Sequence, residues 1–325
     1  MKVGKVSESV LKRSVLKQIN SKNTQVKNGA GVGEDCAIFS CGDTLVASCM
    51  QAAAVSVAED IRYVIIKACN GVACGGAVPL AAQITLLLPT DTEEENLKKY
   101  MSEAQKAADE MGIRIAGGHT EVTGAVLSPC ISVQVTGTVT DFGTKQDGAA
   151  KPGQDIVVTK WIGLEGSARL AEMHTDKLSS RYPYHMIAEA ASFKKYLSIA
   201  PEAATAIKSN AGAMHDVSGG GIFAALWELA EKTGVGLTVD LKKIPIRQET
   251  IEVCEFFCIS PYELLSGGAL LVTTDDGEGL VQALAAEQIP AAVIGKITDN
   301  NDRVVINEDE KRFLERPKSD EFFKI

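Results

Sequence analysis

The spacing of hydrophobic residues divides the first half of the chain into alternating helical and extended segments. Apolar residues recur every three or four positions in three segments, and this spacing predicts amphipathic helices. Short apolar or alternating runs predict strands between them. The predicted helices cover 8–19, a segment opening near 56, and 93–111, and the predicted strands cover 36–39, 43–50, 81–88, 113–116 and 131–139. This order predicts an α/β layer structure.

Local signals refine several of these boundaries. Ser56 and Glu59 have the spacing of a capping box, which predicts a helix start there, and glycines at 71, 75 and 76 predict its end. The almost wholly apolar segment 81–88 predicts a strand buried on both faces. Asp91 or Thr92 is expected to cap the helix over 93–111.

The second half has its own mixture of strands and helices. A polar, glycine-containing stretch at 141–153 predicts a boundary between domains 1–150 and 151–325. Strands are predicted at 155–160, 237–239, 269–273, 291–297 and 304–306, with two or three helices over 166–210 and another at 278–287. A further helix follows Gly221, carries Ile222, Leu226 and Leu229 on one face, and ends at Gly234.

Composition narrows the class of protein. The 325 residues carry a net charge of −9 without a basic patch, so no nucleic-acid partner is expected. The N-terminus lacks the apolar core of a signal peptide and no apolar run is long enough to cross a membrane. We therefore expect a cytoplasmic protein with reduced thiols. The eight cysteines form no C-x-x-C pair, which disfavours a zinc site.

Three polar clusters along the chain could carry chemistry. Paired acids beside glycine could hold Mg²⁺, paired glycines at a strand end could admit a phosphate, and a glycine triplet at a helix start could cradle an anion. Each pattern is also typical of an ordinary turn, but together they indicate a phosphate compound with a metal. The clusters are Gly33-Glu34-Asp35, Gly117-Gly118 followed by His119, Thr120 and Glu121, and His215-Asp216 followed by Gly219, Gly220 and Gly221.

Several segments, in order along nearly the whole chain, resemble the AIR synthase-like (PurM-like) superfamily of ATP-binding proteins, in particular its HypE hydrogenase-maturation branch. The matching segments are GEDCAIF at 33–39, AGGHTEVTGAVLSPCISVQVTGTV at 116–139, KPGQDIVVTKWIGLEGSA at 151–168, AMHDVSGGGIFAALWELAEKTGVGL at 213–237 and AAVIGKIT at 291–298. The glycine-pair and His-Asp segments are the most specific.

The resemblance implies a two-domain fold. Its N-terminal domain would form a β-barrel across a homodimer, with a C-terminal α/β domain beside it and ATP and Mg²⁺ in the cleft between domains. The implied reaction transfers the γ-phosphate of ATP to a substrate oxygen, often of a carbonyl or amide. The implied metal ligands are Asp35 and Asp216, and the implied nucleotide contacts are Gly33, Glu34, Gly117, Gly118, His119, Thr120, Glu121, Gly219, Gly220 and Gly221.

The chain departs from the family pattern at two of four expected metal aspartates. Met50 and Gly71 occupy the other two positions, and neither is a ligand for a hard cation. The resemblance therefore implies a weakened Mg²⁺ site and slow or altered phosphoryl transfer, and substituting Met50→Asp with Gly71→Asp is expected to raise ATPase activity. The HypE branch also ends in a cysteine, whereas the last cysteine here is Cys258, so transfer to the chain's own tail is not expected.

Two other functions stay open from the sequence. One is a competent ATP-dependent enzyme with a rearranged metal site, and the other is a non-catalytic dimeric scaffold for a partner protein. Cys36, Cys49 and Cys69 are each next to a candidate site position. They are expected to be small buried apolar residues, and convergence of the three would indicate a softer metal or a redox role.

Overall fold

The structure, a computed structural model, describes residues 4–19, 23–140 and 149–325, which group into two compact units. Among the described residues, the N-terminal unit contains 23–29 and 35–140, and the C-terminal unit contains 4–19, 30–34 and 149–325. Residues 30–34 thus join the C-terminal unit, and the predicted division at 150 stays a prediction. Among the described residues, no helix combines the length and apolar character needed to cross a membrane.

Helices and strands are interspersed along the whole described chain. The helices are α1 (Glu8–Ser14), α2 (Asp60–Cys74), α3 (Glu94–Glu110), α4 (Leu164–Met173), α5 (Thr175–Leu178), α6 (Tyr184–Ser192), α7 (Ala200–Lys208), α8 (Gly221–Thr233), α9 (Gln248–Phe257) and α10 (Gly277–Ala286). The strands are β1 (Val26–Asn28), β2 (Ala37–Cys41), β3 (Thr44–Ala54), β4 (Ala77–Leu88), β5 (Arg114–Val122), β6 (Cys130–Val139), β7 (Asp155–Thr159), β8 (Met214–Val217), β9 (Gly236–Asp240), β10 (Ala269–Thr274), β11 (Ala291–Thr298), β12 (Arg303–Asn307) and β13 (Glu310–Phe313).

The N-terminal unit is a six-stranded sheet in the order β1-β2-β3-β6-β4-β5, with helices on one face. Its neighbouring strands are antiparallel except for the parallel pair β4 and β5. Ile61, Ile65 and Val72 of α2 are fully buried in the core with Val133 and Val135 of β6. The opposite face is open, with Met50 64% and Val78 58% exposed. Within one chain this sheet is therefore not a closed barrel.

The predicted N-terminal caps of two helices are wrong. The second helix begins at Asp60, whose carboxylate accepts hydrogen bonds from the backbone N–H groups of Ser56 (2.8 Å) and Val57 (3.1 Å), so Ser56 and Glu59 form no capping box. Gly71, predicted to end this helix, lies inside it. The third helix has Glu93 at its N-cap without a side-chain hydrogen bond, so neither Asp91 nor Thr92 is the cap.

Two strand predictions in this unit also need correction. The fourth strand alternates between buried and more exposed positions, because only one face of the sheet is covered by helices; the prediction of burial on both faces is wrong. The fifth strand does not end at Ala116 but continues through the glycine pair to Val122, because β4 supplies hydrogen-bonding partners along its whole length. The glycine pair is thus not a strand-end turn.

The C-terminal unit is a seven-stranded sheet in the order β13-β12-β9-β11-β7-β10-β8. Its core includes Ile222, Leu226 and Leu229 of α8, which confirms the predicted apolar face of that helix. Gly234 ends the helix in the left-handed conformation (φ 68°), as predicted, since glycine adopts it without a Cβ penalty. Four helices, not two or three, lie between Leu164 and Lys208. The short strands β1, β8 and β13 and the helix α9 were not predicted.

Candidate functional site

The glycine pair lies on β5 at the edge of the N-terminal sheet. Gly118 is opposite Ile84 of β4, and a Cβ on Gly118, whose φ is 152°, would overlap the carbonyl oxygen of Ile84. Gly118 is therefore required for the close approach of the two strands. Gly117 has no atom within 4 Å of the position of a Cβ, so its backbone is open to a ligand.

Polar side chains from four strands form two adjacent rows on the open face of this sheet. Strand pairing aligns Met50, Gln134, Gln83 and Gly117 in one row, and Ser132, Thr85 and His119 in the next. Side chains that are opposite each other on paired strands share a face of the sheet. The rows border a cavity of about 320 Å³, which we call the sheet cavity, lined by Met50, Gln83, Thr85, Gly118, His119, Ser132 and Gln134.

The sheet cavity offers hydrogen-bonding groups without a carboxylate in its lining. Its amides, hydroxyls and imidazole can donate to the oxygens of a polar or anionic ligand. His119 Nε2 lies 3.1 Å from Glu121 Oε2, so Glu121 orients the ring from the side. Thr120 is opposite Leu86, which is buried under the helices, and its side chain therefore points away from the cavity. The structure thus brings Gly117, Gly118 and His119 together with Met50.

Met50 and Gly71, expected to stand in for two aspartates of one site, are not neighbours. A Cβ on Gly71 would lie 2.5 Å from Cys49 Sγ and 2.8 Å from the backbone oxygen of Asp35. Since side chains alternate along β3, Cys49 faces α2 whereas Met50 faces the open side. The partner of Gly71 near Asp35 is therefore Cys49, and the expectation that placed Met50 there is wrong.

The three cysteines next to candidate site positions are core residues. Cys36, Cys49 and Cys69 belong to the apolar core of the N-terminal unit, and Cys36 Sγ and Cys49 Sγ fill the notches left by Gly75 and Gly71. Burial, with a smaller contribution from Cys49, raises the pKa of the Cys69 thiol to about 12. No group of three histidine, cysteine or acidic residues placed to hold a metal occurs in the described parts of the chain. These thiols are packing groups, as expected from the sequence.

The Gly33-Glu34-Asp35 cluster is divided between the two units. Gly33, with φ 76°, lies against α8, where a Cβ would come within 2.5 Å of the backbone oxygen of Glu228. The Glu34 carboxylate pairs with Lys232 of the same helix at 2.8 Å. Asp35 belongs to the N-terminal unit, with its backbone oxygen near Gly71. Gly33 and Glu34 therefore anchor a short segment on α8.

His215 and Asp216 lie on β8 and are both buried. His215 Nε2 lies 3.3 Å from Glu228 Oε2 of α8. Burial opposes ionisation of Glu228, but the hydrogen bond with His215 and the charges of Lys5 and Arg316 outweigh it and lower the pKa of Glu228 to about 2. Glu228 is thus an ionised carboxylate held among cationic and imidazole groups, and neither sequence spacing nor local pattern indicated it.

The glycine triplet begins α8, but an acidic side chain of the same unit already caps it. The N–H of Gly220 donates to Asp320 Oδ2 at 2.5 Å, and the N–H of Leu265 donates to Asp320 Oδ1 at 3.2 Å. Asp320 is 7% exposed. Gly219 and Gly220 line an open cavity of about 510 Å³ near both ends of the chain. Gly221, with φ 64°, is closely covered by the backbone of 262–264.

The residues implied as Mg²⁺ ligands do not form a multidentate site within either unit. Asp216 lies near the buried ammonium of Lys160. Burial lowers the pKa of Lys160, while the negative charges of Glu202 and Asp216 oppose that change. A lysine ammonium already supplies positive charge beside this carboxylate. The backbone oxygen of Asp35 lies near Gly71 and the Cys49 thiol, neither of which offers a carboxylate. Within its described residues, neither unit, taken by itself, presents the several oxygen ligands that a hard divalent cation takes.

Both halves of the chain match family profiles. Residues 28–139 match the N-terminal domain of AIR synthase related protein, and residues 151–307 match its C-terminal domain. A putative hydrogenase expression/formation protein of Methanocaldococcus jannaschii is 27% identical over 314 residues, covering 93% of this chain and 91% of that protein. The carbamoyl dehydratase HypE of Rhodobacter capsulatus is 28% identical over 235 residues, covering 70% of this chain and 66% of its own length.

The fold agrees with these matches. The crystal structure of the hydrogenase maturation protein HypE in complex with ATP superposes with a TM-score of 0.72 at 18% identity, covering 98% of this chain and 97% of the other. The chain therefore belongs to the AIR synthase related protein family and has the two-domain α/β fold of its PurM-like, HypE-like members.

Proposed function

We propose that this chain binds ATP or another phosphorylated ligand and transfers phosphate weakly or in an altered way. ATP binding by the HypE structure of similar fold supports the nucleotide part of the proposal. The altered transfer is supported by the neighbourhood of Asp35, where Cys49 and Gly71 provide no carboxylate. Phosphoryl transfer depends on cations that offset phosphate charge, so losing acidic ligands is expected to slow it.

The observation that carries the proposal is the sheet cavity, which Gly118 lines and whose lining residue Gln83 is opposite Gly117. Phosphate oxygens accept hydrogen bonds, and the cavity presents amides, hydroxyls and the His119 imidazole. In this proposal Gly117, Gly118 and His119 contact phosphate while Glu121 holds the imidazole. Thr120 contributes its backbone, since its side chain points to the other face.

The remaining family positions take secondary roles in the proposal. Asp35 and Asp216 are the two acidic residues retained for cation contact, each in its own unit. Gly33 and Glu34 act by anchoring the segment before Asp35 on α8. Gly219, Gly220 and Gly221 shape the start of α8, where Asp320 takes the hydrogen bond of Gly220.

We also propose that the open sheet face pairs with a second copy of the chain. Met50 and Val78 are 64% and 58% exposed on that face, and apolar exposure on an uncovered sheet favours burial against a partner. Val78→Glu is expected to convert a dimer to a monomer in sedimentation-velocity measurements. Leu127→Glu is the control, because Leu127 is exposed in a loop outside the strands. A Val78→Glu protein that sediments unchanged would contradict the dimer proposal.

Calorimetry of ATP binding tests the nucleotide proposal, first with Mg²⁺ and then with a chelator. Gly117→Ala is expected to weaken binding about tenfold or more, because a Cβ blocks approach to the backbone. Gly124→Ala is the matched control, since its Cβ also has open space. Equal affinity in both variants, or no ATP binding by the unmodified chain, would overturn the proposal.

The rate of ATP turnover distinguishes weak or altered phosphoryl transfer from the activity of a competent ATP-dependent enzyme. We expect slow phosphate release from ATP in the absence of an acceptor, with binding that depends little on Mg²⁺. Strictly Mg²⁺-dependent tight binding with rapid turnover would favour a competent enzyme that activates a carbonyl or amide oxygen.

A further inference from the structure

Both ends of the described chain are attached to α8 by one continuous set of ion pairs. Lys5 and Arg316 pair with Glu228 at 3.5 and 3.2 Å, and Arg316 also reaches Glu8 at 3.5 Å. From Glu8 the set continues through Lys12 to Glu231 and from there to Arg303. We call this set the clasp; its members are Lys5, Glu8, Lys12, Glu228, Glu231, Arg303 and Arg316.

The N-terminal part of the clasp has little apolar support. The helix α1 is seven residues long and contains no buried residue. A helix of this length is unstable by itself, so its order depends on its attachments. Besides its ion pairs, Glu8 accepts a hydrogen bond from Trp227 Nε1 of α8 at 3.0 Å. The arm is therefore held mainly by charge.

Four clasp residues line the cavity of about 510 Å³ beside the glycine triplet, which we call the clasp cavity; they are Lys5, Glu8, Glu228 and Arg316. Residues 5–10 and 316–320 supply much of its lining, and Gly219, Gly220, Ala224 and Glu228 supply the inner side. A volume of this size is typical of small-molecule sites. Each covering segment carries clasp residues: Lys5 and Glu8 in one, and Arg316 in the other. Separation of their ion pairs would therefore widen the entrance to the cavity.

The central carboxylate of the clasp also connects it to β8. Glu228 contacts Lys5 and Arg316 on the side of the chain ends and His215 on the side of the sheet. His215 is adjacent in sequence to Asp216, one of the two acidic residues that the family resemblance implies as metal ligands. Movement of the covering segments thus changes the charges that surround a strand of the candidate site.

We infer that the clasp is a salt-sensitive gate over the clasp cavity, which opens by separation of the N-terminal arm and the 316–320 segment from α8. Lys5, Lys12 and Arg316 keep part of their side chains exposed, and ion pairs at such positions weaken with salt, so the open state is accessible without unfolding the sheet. This inference does not require that the ligand is a nucleotide.

Thiol alkylation followed peptide by peptide by mass spectrometry tests the gate. Ala224→Cys places a reporter on the inner wall of the cavity, where the native Ala224 side chain is buried. Adding Arg316→Gln, which removes the contacts to Glu8 and Glu228, is expected to raise alkylation of this reporter about three- to tenfold. Arg181→Gln is the matched control, since it removes an ion pair with Glu255 outside the clasp.

An internal reference separates gating from unfolding. Cys254 is buried in the same unit, and its alkylation reports loss of the core. We expect about 0.5 M sodium chloride, where the screening length is roughly 4 Å, to accelerate the Ala224→Cys reporter but not Cys254. Ser319→Cys provides a second reporter if Ala224→Cys perturbs the cavity. The gate would be overturned if neither salt nor Arg316→Gln changed the alkylation rate of the reporter cysteine. It would also be overturned if the alkylation rate of Cys254 rose together with that of the reporter.

Discussion

Asp320 caps α8 from a segment 100 residues further along the chain, by accepting the N–H of Gly220 at 2.5 Å. Its other oxygen accepts N–H groups from Leu265 at 3.2 Å and Phe322 at 2.8 Å. One buried carboxylate therefore joins the start of a helix, the approach to β10 and the end of the chain. A glycine triplet that resembles an external anion cradle is satisfied from within its own unit.

Removal of the Asp320 carboxylate is expected to lower stability. Asp320→Ala leaves the N–H of Gly220 and Leu265 without their acceptor, at a cost of about 2–4 kcal/mol, whereas Asp320→Asn keeps one acceptor oxygen and should cost less. Urea denaturation measures both. Asp276→Ala serves as a comparison, because Asp276 caps α10 at a more exposed position. Equal losses in the Asp320→Ala and Asp276→Ala proteins would contradict the joining role of Asp320.

Stability is expected to fall in acid through Glu228. Folding lowers its pKa from 4.5 to about 2, so the unfolded chain binds a proton first as pH falls. The stabilisation from Glu228 is fully present above about pH 4.5 and disappears as pH approaches 2, with a size on the order of 3 kcal/mol. Denaturation of the unmodified chain and of Glu228→Gln at several pH values should show two curves that converge between these limits. A constant difference down to pH 2 would exclude this assignment.

Cys36 and Gly75 are expected to be energetically coupled. A Cβ on Gly75 would overlap Cys36 Sγ, while its other neighbours lie at 3.3 Å or more. Gly75→Ala should therefore destabilise the N-terminal unit by about 1–3 kcal/mol. Cys36→Ala opens the space that a Cβ at position 75 needs. The loss of unfolding free energy in the double variant should therefore be smaller, by at least about 0.5 kcal/mol, than the sum of the losses in the two single variants. Additive losses in chemical denaturation would show that the overlap is relieved in another way.

An aspartate introduced into the N-terminal unit is expected to be tolerated at Met50 and not at Gly71. Met50 is 64% exposed on the open face, and Met50→Asp should change stability by less than about 0.5 kcal/mol in the monomeric state. Gly71→Asp drives a side chain against Cys49 and the Asp35 backbone, and should destabilise by more than about 3 kcal/mol. Thermal unfolding beside ATPase assays measures both. A stable Gly71→Asp protein with higher ATPase activity would support the metal site that the family resemblance implies.

Local sequence patterns identified most elements because they depend on neighbouring residues. The helix after Gly221, its apolar face and its end at Gly234 follow from a 3.6-residue period and from the conformational freedom of glycine. The alternation of Ile131, Val133 and Val135 on β6 follows in the same way from a strand with one covered face. Boundaries failed where a tertiary contact intervened, as at Asp60 and at the glycine pair of β5.

The sequence by itself determined the family, the mixed α/β character and the positions of the polar clusters, since these depend on composition and order along the chain. Tertiary structure decided which members of each cluster meet. It packed Gly33 and Glu34 against α8, placed Cys49 instead of Met50 beside Gly71, and brought Asp320 to Gly220. Such contacts join residues distant in sequence, and they are selected by the packing of whole elements. No periodicity within one segment specifies that packing.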